Sequence, residues 1–84
     1  MEKAIRIKDL ISKETVFKGF AKNRKEAVAI VKQEFRAYMV RGDRIVWQYL
    51  NENDPNEKKA PRIAQIQCED GEYVDFIALI SDHV

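Results

Sequence analysis

The sequence AKNRKEAVAIVKQEFRAYMVRG, residues 21–42, decides the fold because it predicts one complete amphipathic helix. Asn23 can cap this helix, since its side-chain oxygen can accept from a free backbone N–H of the first turn. Glu26 follows three residues later, where a carboxylate favours the positive end of the helix dipole, and Gly42 supplies a left-handed stop. The residues that recur at helical spacing, and that we expect to be buried on one face, are Ala27, Val28, Val31, Phe35, Tyr38 and Met39.

Two strands are predicted before the helix. Residues 3–11 alternate apolar and basic side chains from Ile5 to Lys8, which is the period of a half-buried strand. A helical stripe that ends at Ile11 fits the same residues, so a helix there stays an alternative. After a short polar break, residues 15–20 are rich in β-branched and aromatic side chains that favour a strand. The two runs together indicate a β-hairpin.

The segment after the helix begins with a third strand and a loop. Residues 44–50 carry strand-forming apolar side chains on both faces, which predicts a central strand covered by the helix on one side. Residues 51–61 are the most polar stretch of the chain and contain two prolines. Because asparagine, aspartate and proline favour turns, we expect this stretch to form a protruding, mobile loop.

The last part of the chain predicts a second hairpin. Residues 62–68 alternate apolar and polar side chains, as a strand with one buried face does. The dipeptide Asp70-Gly71 predicts a two-residue turn, since turns of this kind need positive φ angles. Residues 72–80 then return as a strand. The side chains that we expect on its inner face are Val74, Phe76, Ala78 and Ile80.

The element order β-β-α-β-β-β predicts an α+β fold in a single domain, residues 1–84. One amphipathic helix packed on a four- to five-stranded, mainly antiparallel sheet is the economical way to bury the apolar stripe of the helix. The other face of the sheet would carry Tyr73 and Ile77, with Trp47 as a third candidate. These side chains are more apolar than a solvated face should be, so we expect either a second copy of the chain or a terminal segment to cover them, and we favour the second copy.

Composition is that of an ordinary globular domain, with 45% apolar residues, 35% charged residues and a net charge of +1. No apolar run approaches the roughly 18 residues of a membrane span, and the first six residues do not form a signal peptide. We therefore expect a cytoplasmic protein with no membrane partner. The lone cysteine, Cys68, and the lone histidine, His83, exclude an internal disulfide and do not provide the four ligands of a structural zinc site.

The residues that catalysis needs are scarce, so the chain is not expected to be an enzyme or to hold a cofactor. His83 lies next to the C-terminus, and Cys68 lies on the apolar side of a predicted strand, where a buried, inert thiol is expected. The three glycines are too far apart for a phosphate-binding loop. Carboxylates cluster around the second hairpin, but their spacing matches no calcium loop and a solvated turn explains them: Glu69, Asp70, Glu72 and Asp75.

A basic cluster stands at the start of the predicted helix. Its members are Lys18, Lys22, Arg24 and Lys25. Free N–H groups and the helix dipole already favour anions at such a position, so the cluster is a candidate phosphate or nucleic-acid site. The aromatic side chains near it, which could stack on bases, are Phe17 and Phe20.

Residues 19–27, Gly-Phe-Ala-Lys-Asn-Arg-Lys-Glu-Ala, resemble the segment that opens the last helix of double-stranded RNA-binding domains. In that family the basic pair contacts phosphates across a groove, so the resemblance implies this role for Arg24 and Lys25. The similarity covers nine residues of the 84. The rest of the chain departs from the family, whose element order is α-β-β-β-α, and Val28 stands where a further lysine is usual.

Two function hypotheses follow. The first is a small, non-catalytic accessory or regulatory module that acts by protein–protein contact, with β-β-α openings of this kind also found in small phage and plasmid proteins. Its candidate contact residues are Trp47, Tyr49, Tyr73 and Ile77, together with the loop over residues 51–61. Because residues two apart in a strand share a face, Trp47 and Tyr49 should be both core or both available. The alternative is a nucleic-acid-binding protein that uses the basic cluster.

Overall fold

Five strands and one helix follow one another in the order β-β-α-β-β-β, which confirms the predicted α+β fold. The structure is a computed structural model that describes residues 2–50 and 60–82, with the backbone alone at 49, 50, 60 and 61. Most of the loop predicted over 51–61 lies outside the described residues, as does His83. The elements are β1 (Lys3–Asp9), β2 (Thr15–Ala21), α1 (Arg24–Arg36), β3 (Arg44–Leu50), β4 (Ala60–Gln67) and β5 (Tyr73–Asp82). The first segment is therefore a strand and not the alternative helix.

All five strands form one antiparallel sheet in the order β2-β1-β5-β4-β3. The central strand is β5, which pairs with β1 and β4. The prediction that residues 44–50 form a central strand is wrong, because β3 ends the sheet. The apolar side chains of β3 lie on both faces for a reason other than a central position in the sheet. Ile45 and Trp47 pack toward the helix, while Val46 is half-buried on the opposite face.

The register brings the inner side chains of neighbouring strands into rows under α1. Ile7 pairs with Phe17 on one side and with Ala78 on the other, and Ile5 lies in the same way between Gly19 and Ile80. Burying these apolar side chains against the helix is the main stabilising contribution to a domain of this size. The buried core consists of Ile5, Ile7, Ala21, Ala27, Val31, Phe35, Ala64, Ile66, Ala78 and Ile80.

The helix begins as predicted and ends earlier than predicted. Asn23 has extended backbone angles, and its side-chain oxygen accepts from the backbone N–H of Glu26 at 2.9 Å. The last helical residue is Arg36, after which the N–H groups of Tyr38 and Met39 bond three residues back instead of four. This tighter winding seats the Tyr38 ring against the Phe76 ring, with centroids 4.4 Å apart, and leaves Tyr38 41% exposed.

Gly42 does not stop the helix. It lies in a separate turn before β3, in which the N–H of Asp43 donates to the carbonyl of Val40 at 3.1 Å. The φ angle of Gly42 is +97°, which a turn of this kind requires at its third residue and which glycine adopts without steric cost. The left-handed conformation was predicted correctly, but it serves the entry into β3.

The hairpin between β4 and β5 is confirmed, but the predicted two-residue turn is wrong. The N–H of Gly71 donates to the carbonyl of Cys68 at 2.9 Å, and the N–H of Cys68 donates to the carbonyl of Glu72 at 2.7 Å. Gly71 alone of the turn residues has a positive φ, +93°, so the connection is a three-residue loop, in which the four-residue turn that starts at Cys68 ends on a left-handed glycine. The Asp70 carboxylate accepts from the N–H of Glu72 and stabilises the turn.

A charged contact joins the ends of three neighbouring strands. Asp82, at the end of β5, accepts from the Lys3 ammonium group on β1 and from the Arg62 guanidinium group on β4, the latter at 3.4 Å. Hydrogen bonds from Lys3 and then from Arg62 lower the pKa of the Asp82 carboxyl group. The contact therefore holds β1, β5 and β4 together on the helix side of the sheet.

Phe35→Ala tests the central packing contact, because Phe35 is fully buried between α1 and the sheet. We expect the free energy of unfolding to fall by about 3–5 kcal/mol, as for other large aromatic truncations in cores. Lys32→Ala on the exposed side of the helix is the matched control and should change it by about 0.5 kcal/mol or less. Urea denaturation followed by circular dichroism measures both, and similar losses for the two variants would contradict the assigned core.

Asp82→Asn tests the contact between strand ends. Because the pKa of Asp82 is lowered in the folded chain, its stabilisation is present above the ordinary carboxyl pKa of about 3.9 and is lost as the pH falls through the folded value. The variant should therefore be less stable than the parent near neutral pH and equally stable in strong acid. Thermal melts over a pH series measure this difference. Asp75→Asn on the same strand is the control. A difference in stability between Asp82→Asn and the parent that stays the same at every pH would argue against the contact.

Candidate binding face

The face of the sheet opposite α1 carries no other layer among the described residues. The pairing places its side chains in two long rows across the strands. One row runs Gln48, Ile63, Leu79, Arg6 and Lys18 from β3 to β2. The next row runs Val46, Gln65, Ile77, Lys8 and Thr15. These two rows are therefore aliphatic and neutral on β3, β4 and β5, and cationic on β1 and β2. Beyond the rows, Arg44 on β3 and Asp75 on β5 are exposed on the same face.

The aliphatic patch consists of Val46, Ile63, Ile77 and Leu79. Ile63 and Leu79 are direct cross-strand partners, and Gln65 joins Val46 to Ile77 in the neighbouring row. All four aliphatic side chains are half-buried by their neighbours in the sheet. Adjacent apolar side chains on three strands form a continuous surface, which is the kind of surface that protein contacts use.

The cationic pair consists of Arg6 on β1 and Lys18 on β2, which are direct cross-strand partners with exposed side chains. Phe20, two residues along β2, is 63% exposed. These three side chains and Leu79 line a shallow depression of about 260 Å³. Sequence reasoning named Phe20 as an aromatic side chain that could stack on bases, but it missed Arg6 and Leu79 as site residues. The alternation of β1 placed Arg6 on the outward face, but its proximity to Lys18 and Phe20 depends on the strand register.

The predicted contact residues whose side chains the structure describes do not share one face. Ile77 belongs to the aliphatic patch, and Tyr73 lies at the start of β5 with 49% exposure. Trp47 lies on the helix side, where it packs at the margin of the core. Trp47, Lys32 and Arg36 line a cavity of about 390 Å³ beside the helix. Tyr49 lies two residues after Trp47 in β3, beyond a register shift between Gln48 and Tyr49, and its side chain lies outside the described residues.

The predicted basic cluster also divides. Lys22 and Lys25 are exposed at the start of the helix and Arg24 is half-buried there, whereas Lys18 lies on the uncovered face of the sheet. One N–H of the first helical turn, that of Glu26, is already bonded to the Asn23 cap. Anion binding by these residues stays a prediction. The structure assigns Lys18 to the cationic pair and the other three to the helix start.

The carboxylates of the second hairpin have a structural role at one position, since Asp70 accepts from the N–H of Glu72. In the described part of the chain, no three histidine, cysteine or acidic side chains come together as a metal site would require. Burial, followed by the negative charges of Asp43 and Asp70, raises the pKa of the Cys68 thiol. A raised pKa lowers the thiolate fraction near neutral pH, which makes Cys68 a weak nucleophile.

Alkylation by iodoacetamide tests this property of Cys68. Because the thiolate is the reactive form, the folded chain should alkylate more slowly near neutral pH than the chain unfolded in urea. The rate of the folded chain should rise to its plateau at a higher pH than that of the unfolded chain. Mass spectrometry over a pH series measures both rates, and faster reaction of the folded chain would indicate an activated cysteine.

Comparison with protein-family models, with curated proteins and with solved structures found no match to this chain. Among the described helical residues, no segment is long and apolar enough to cross a membrane. The uncovered face is therefore interpreted from its own residues, their pairing and their exposure.

Proposed function

We propose that this chain is a small, non-catalytic binding domain that acts by protein–protein contact through the aliphatic patch. The observation that carries the proposal is the continuous row of Ile63 and Leu79 beside Val46 and Ile77, on a face that α1 does not cover. A partner that covers these side chains removes apolar area from water, which contributes about 25 cal/mol for each Å². The proposed wider role is that of an accessory or regulatory protein, such as those that phages and other mobile elements encode.

The first partner that we propose is a second copy of the chain. In a two-fold symmetric contact each patch packs against itself, so a charged patch would repel its copy. The four aliphatic residues and the two glutamines between them, Gln48 and Gln65, carry no charge. A glutamine side chain both donates and accepts hydrogen bonds, so it can pair with a glutamine of the other copy. The composition of the patch therefore suits self-association.

The size of the patch sets the expected strength of the dimer. Three strands about 4.8 Å apart give a narrower contact than the standard interface, in which each partner buries roughly 800 Å². We therefore expect a weak dimer whose population depends on concentration. A contact centred on β4 would leave β1 and β2 of each copy outside the interface, so the cationic pairs would not be brought together.

Ile77→Asp tests this proposal. A two-fold contact would include the substitution twice and would bring two carboxylates into an apolar contact. Lys8, opposite position 77 on β1, neutralises each carboxylate only in part, and burying each one still costs about 1–3 kcal/mol, so dimerisation should weaken by more than about tenfold. Sedimentation equilibrium over a concentration series measures the association. Ile11→Asp is the matched control because Ile11 is 76% exposed in the loop between β1 and β2, outside the patch. This control should dimerise as the parent does.

Two outcomes would contradict the proposed partner. A parent chain that remains monomeric at the highest soluble concentration would exclude a second copy as the partner. Equal weakening by Ile77→Asp and Ile11→Asp would show that dimerisation, where present, does not use the aliphatic patch. In both cases circular dichroism of each variant checks that the fold is retained.

A further inference from the structure

The cationic pair is an unusual arrangement for an antiparallel sheet. Like charges directly opposite each other on neighbouring strands destabilise the pairing, yet Arg6 and Lys18 are direct partners in the register of β1 and β2. Lys8, the next residue of β1 on the same face, adds a third cation to this edge of the sheet. Three cations therefore lie close together on β1 and β2 of the uncovered face.

No carboxylate compensates the pair at the neighbouring cross-strand positions. Leu79 lies opposite Arg6 on β5, and the diagonal positions there hold Ile77 and Ser81. The diagonal positions around Lys18 on β1 hold Ala4 and Lys8. Asp75 on β5 is diagonal to Lys8 and lies two positions beyond the neighbours of the pair. An anion from outside the chain would relieve the repulsion between the two cations.

Phe20 gives the site a second type of contact. Its ring is 63% exposed and borders the same depression of about 260 Å³ as Arg6, Lys18 and Leu79. An exposed ring next to two cations can stack on a nucleobase while the cations neutralise the flanking phosphates. The bases of a duplex are stacked on one another and are not accessible to such a ring, whereas those of a single strand are.

We propose that Arg6, Lys18 and Phe20 form a binding site for single-stranded nucleic acid on β1 and β2. Arg6 and Lys18 bind phosphates, Phe20 stacks on a base, and Leu79 forms the apolar floor of the depression. An acidic peptide would satisfy the two cations but would not use the exposed face of the Phe20 ring. The site lies outside the aliphatic patch except for Leu79, so it does not depend on self-association.

The test is fluorescence anisotropy with a labelled thymidine oligonucleotide of about 15 nucleotides at low salt. The parent chain should bind it, and the affinity should fall as salt is added. The logarithm of the association constant should fall linearly with the logarithm of the salt concentration, with a slope of about −0.7 for each phosphate neutralised. Arg6→Gln with Lys18→Gln should reduce the magnitude of this slope by about 1.4. Phe20→Ala should weaken binding by about 5- to 150-fold, which is the range for loss of one stacked base.

Matched double variants distinguish this site from the others. Lys22→Gln with Lys25→Gln removes the same charge from the helix start, and Lys32→Gln with Arg36→Gln removes it from the outer side of the helix. Both should bind the oligonucleotide nearly as the parent does. Equal losses in all three double variants would mean non-specific attraction, and the largest loss at Lys22 and Lys25 would place the site at the helix start. Either result overturns the proposal.

Competition identifies the class of ligand. Unlabelled single strand should displace the probe more effectively than a duplex of the same sequence or a poly-glutamate peptide. Stronger competition by the peptide would mean that the surface binds acidic protein, stronger competition by the duplex would mean that Phe20 does not stack on bases, and no binding at low salt would mean that no such site exists. Each of these three results would overturn the proposal.

A stability measurement separates binding from a structural role. Lys18→Gln removes the repulsion with Arg6, so the free chain should melt at the same or a higher temperature than the parent while binding the oligonucleotide more weakly. A variant that melts at a lower temperature and binds as tightly as the parent would show that Lys18 is a structural residue, and would remove it from the site.

Discussion

One helix of thirteen residues has to cover one face of five strands, and the rest of the molecule depends on this constraint. A helix with its side chains is about 10–12 Å across, whereas five strands about 4.8 Å apart span roughly 19 Å between the outer two. The helix packs across β1, β2 and β4, so the side of the sheet near β3 needs other cover. Met39 and Trp47 supply it, which explains why the chain leaves the helix at Arg36 and continues along the sheet.

The same constraint separates the two faces of the sheet chemically. Small side chains at Ala21, Ala64 and Ala78 let the helix approach closely, while Phe35 fills the space between them. No other described element packs on the opposite face. The aliphatic side chains of that face are therefore in contact with solvent at their outer ends. Their half-buried state comes from contact with each other within the sheet. The uncovered face is therefore compatible with a folded monomer and also suited to a partner.

Local features of the fold could be predicted from the sequence, and non-local ones could not. The cap at Asn23 and the buried Phe35 follow from spacing within one helix, and the inner face of β5 follows from strict alternation. The early end of the helix was missed because Tyr38 packs on Phe76, a residue distant in sequence. In the hairpin turn, Gly71 was identified correctly, but the position of the turn around it depends on bonds made by Cys68.

The strand order and the candidate site share one reason for having been missed. Pairing of β1 with β5 joins the two ends of the chain, and no sequence pattern specifies which distant strand will be the neighbour. Without that pairing β3 looks central, because apolar residues on both of its faces suggest cover on both sides. The cationic pair needs even finer information, since a shift of one residue between β1 and β2 would move Lys18 to the other face. The basic cluster was therefore assembled along the chain, around the helix start, instead of across the strands.

The cations on the two sides of β1 differ in whether a carboxylate lies beside them, and this contrast is the strongest argument for the cationic site. On the helix side, Lys3 is paired with the Asp82 carboxylate, which also accepts from Arg62. On the uncovered side, Arg6 has Lys18 and Leu79 as its cross-strand partners, and neither can neutralise it. The Lys3 charge of β1 is thus compensated where it serves the fold, whereas the described cross-strand positions around Arg6 and Lys18 hold no carboxylate. Since like-charge partners lower the stability of the sheet, their presence is better explained by an external anion than by any contribution to folding.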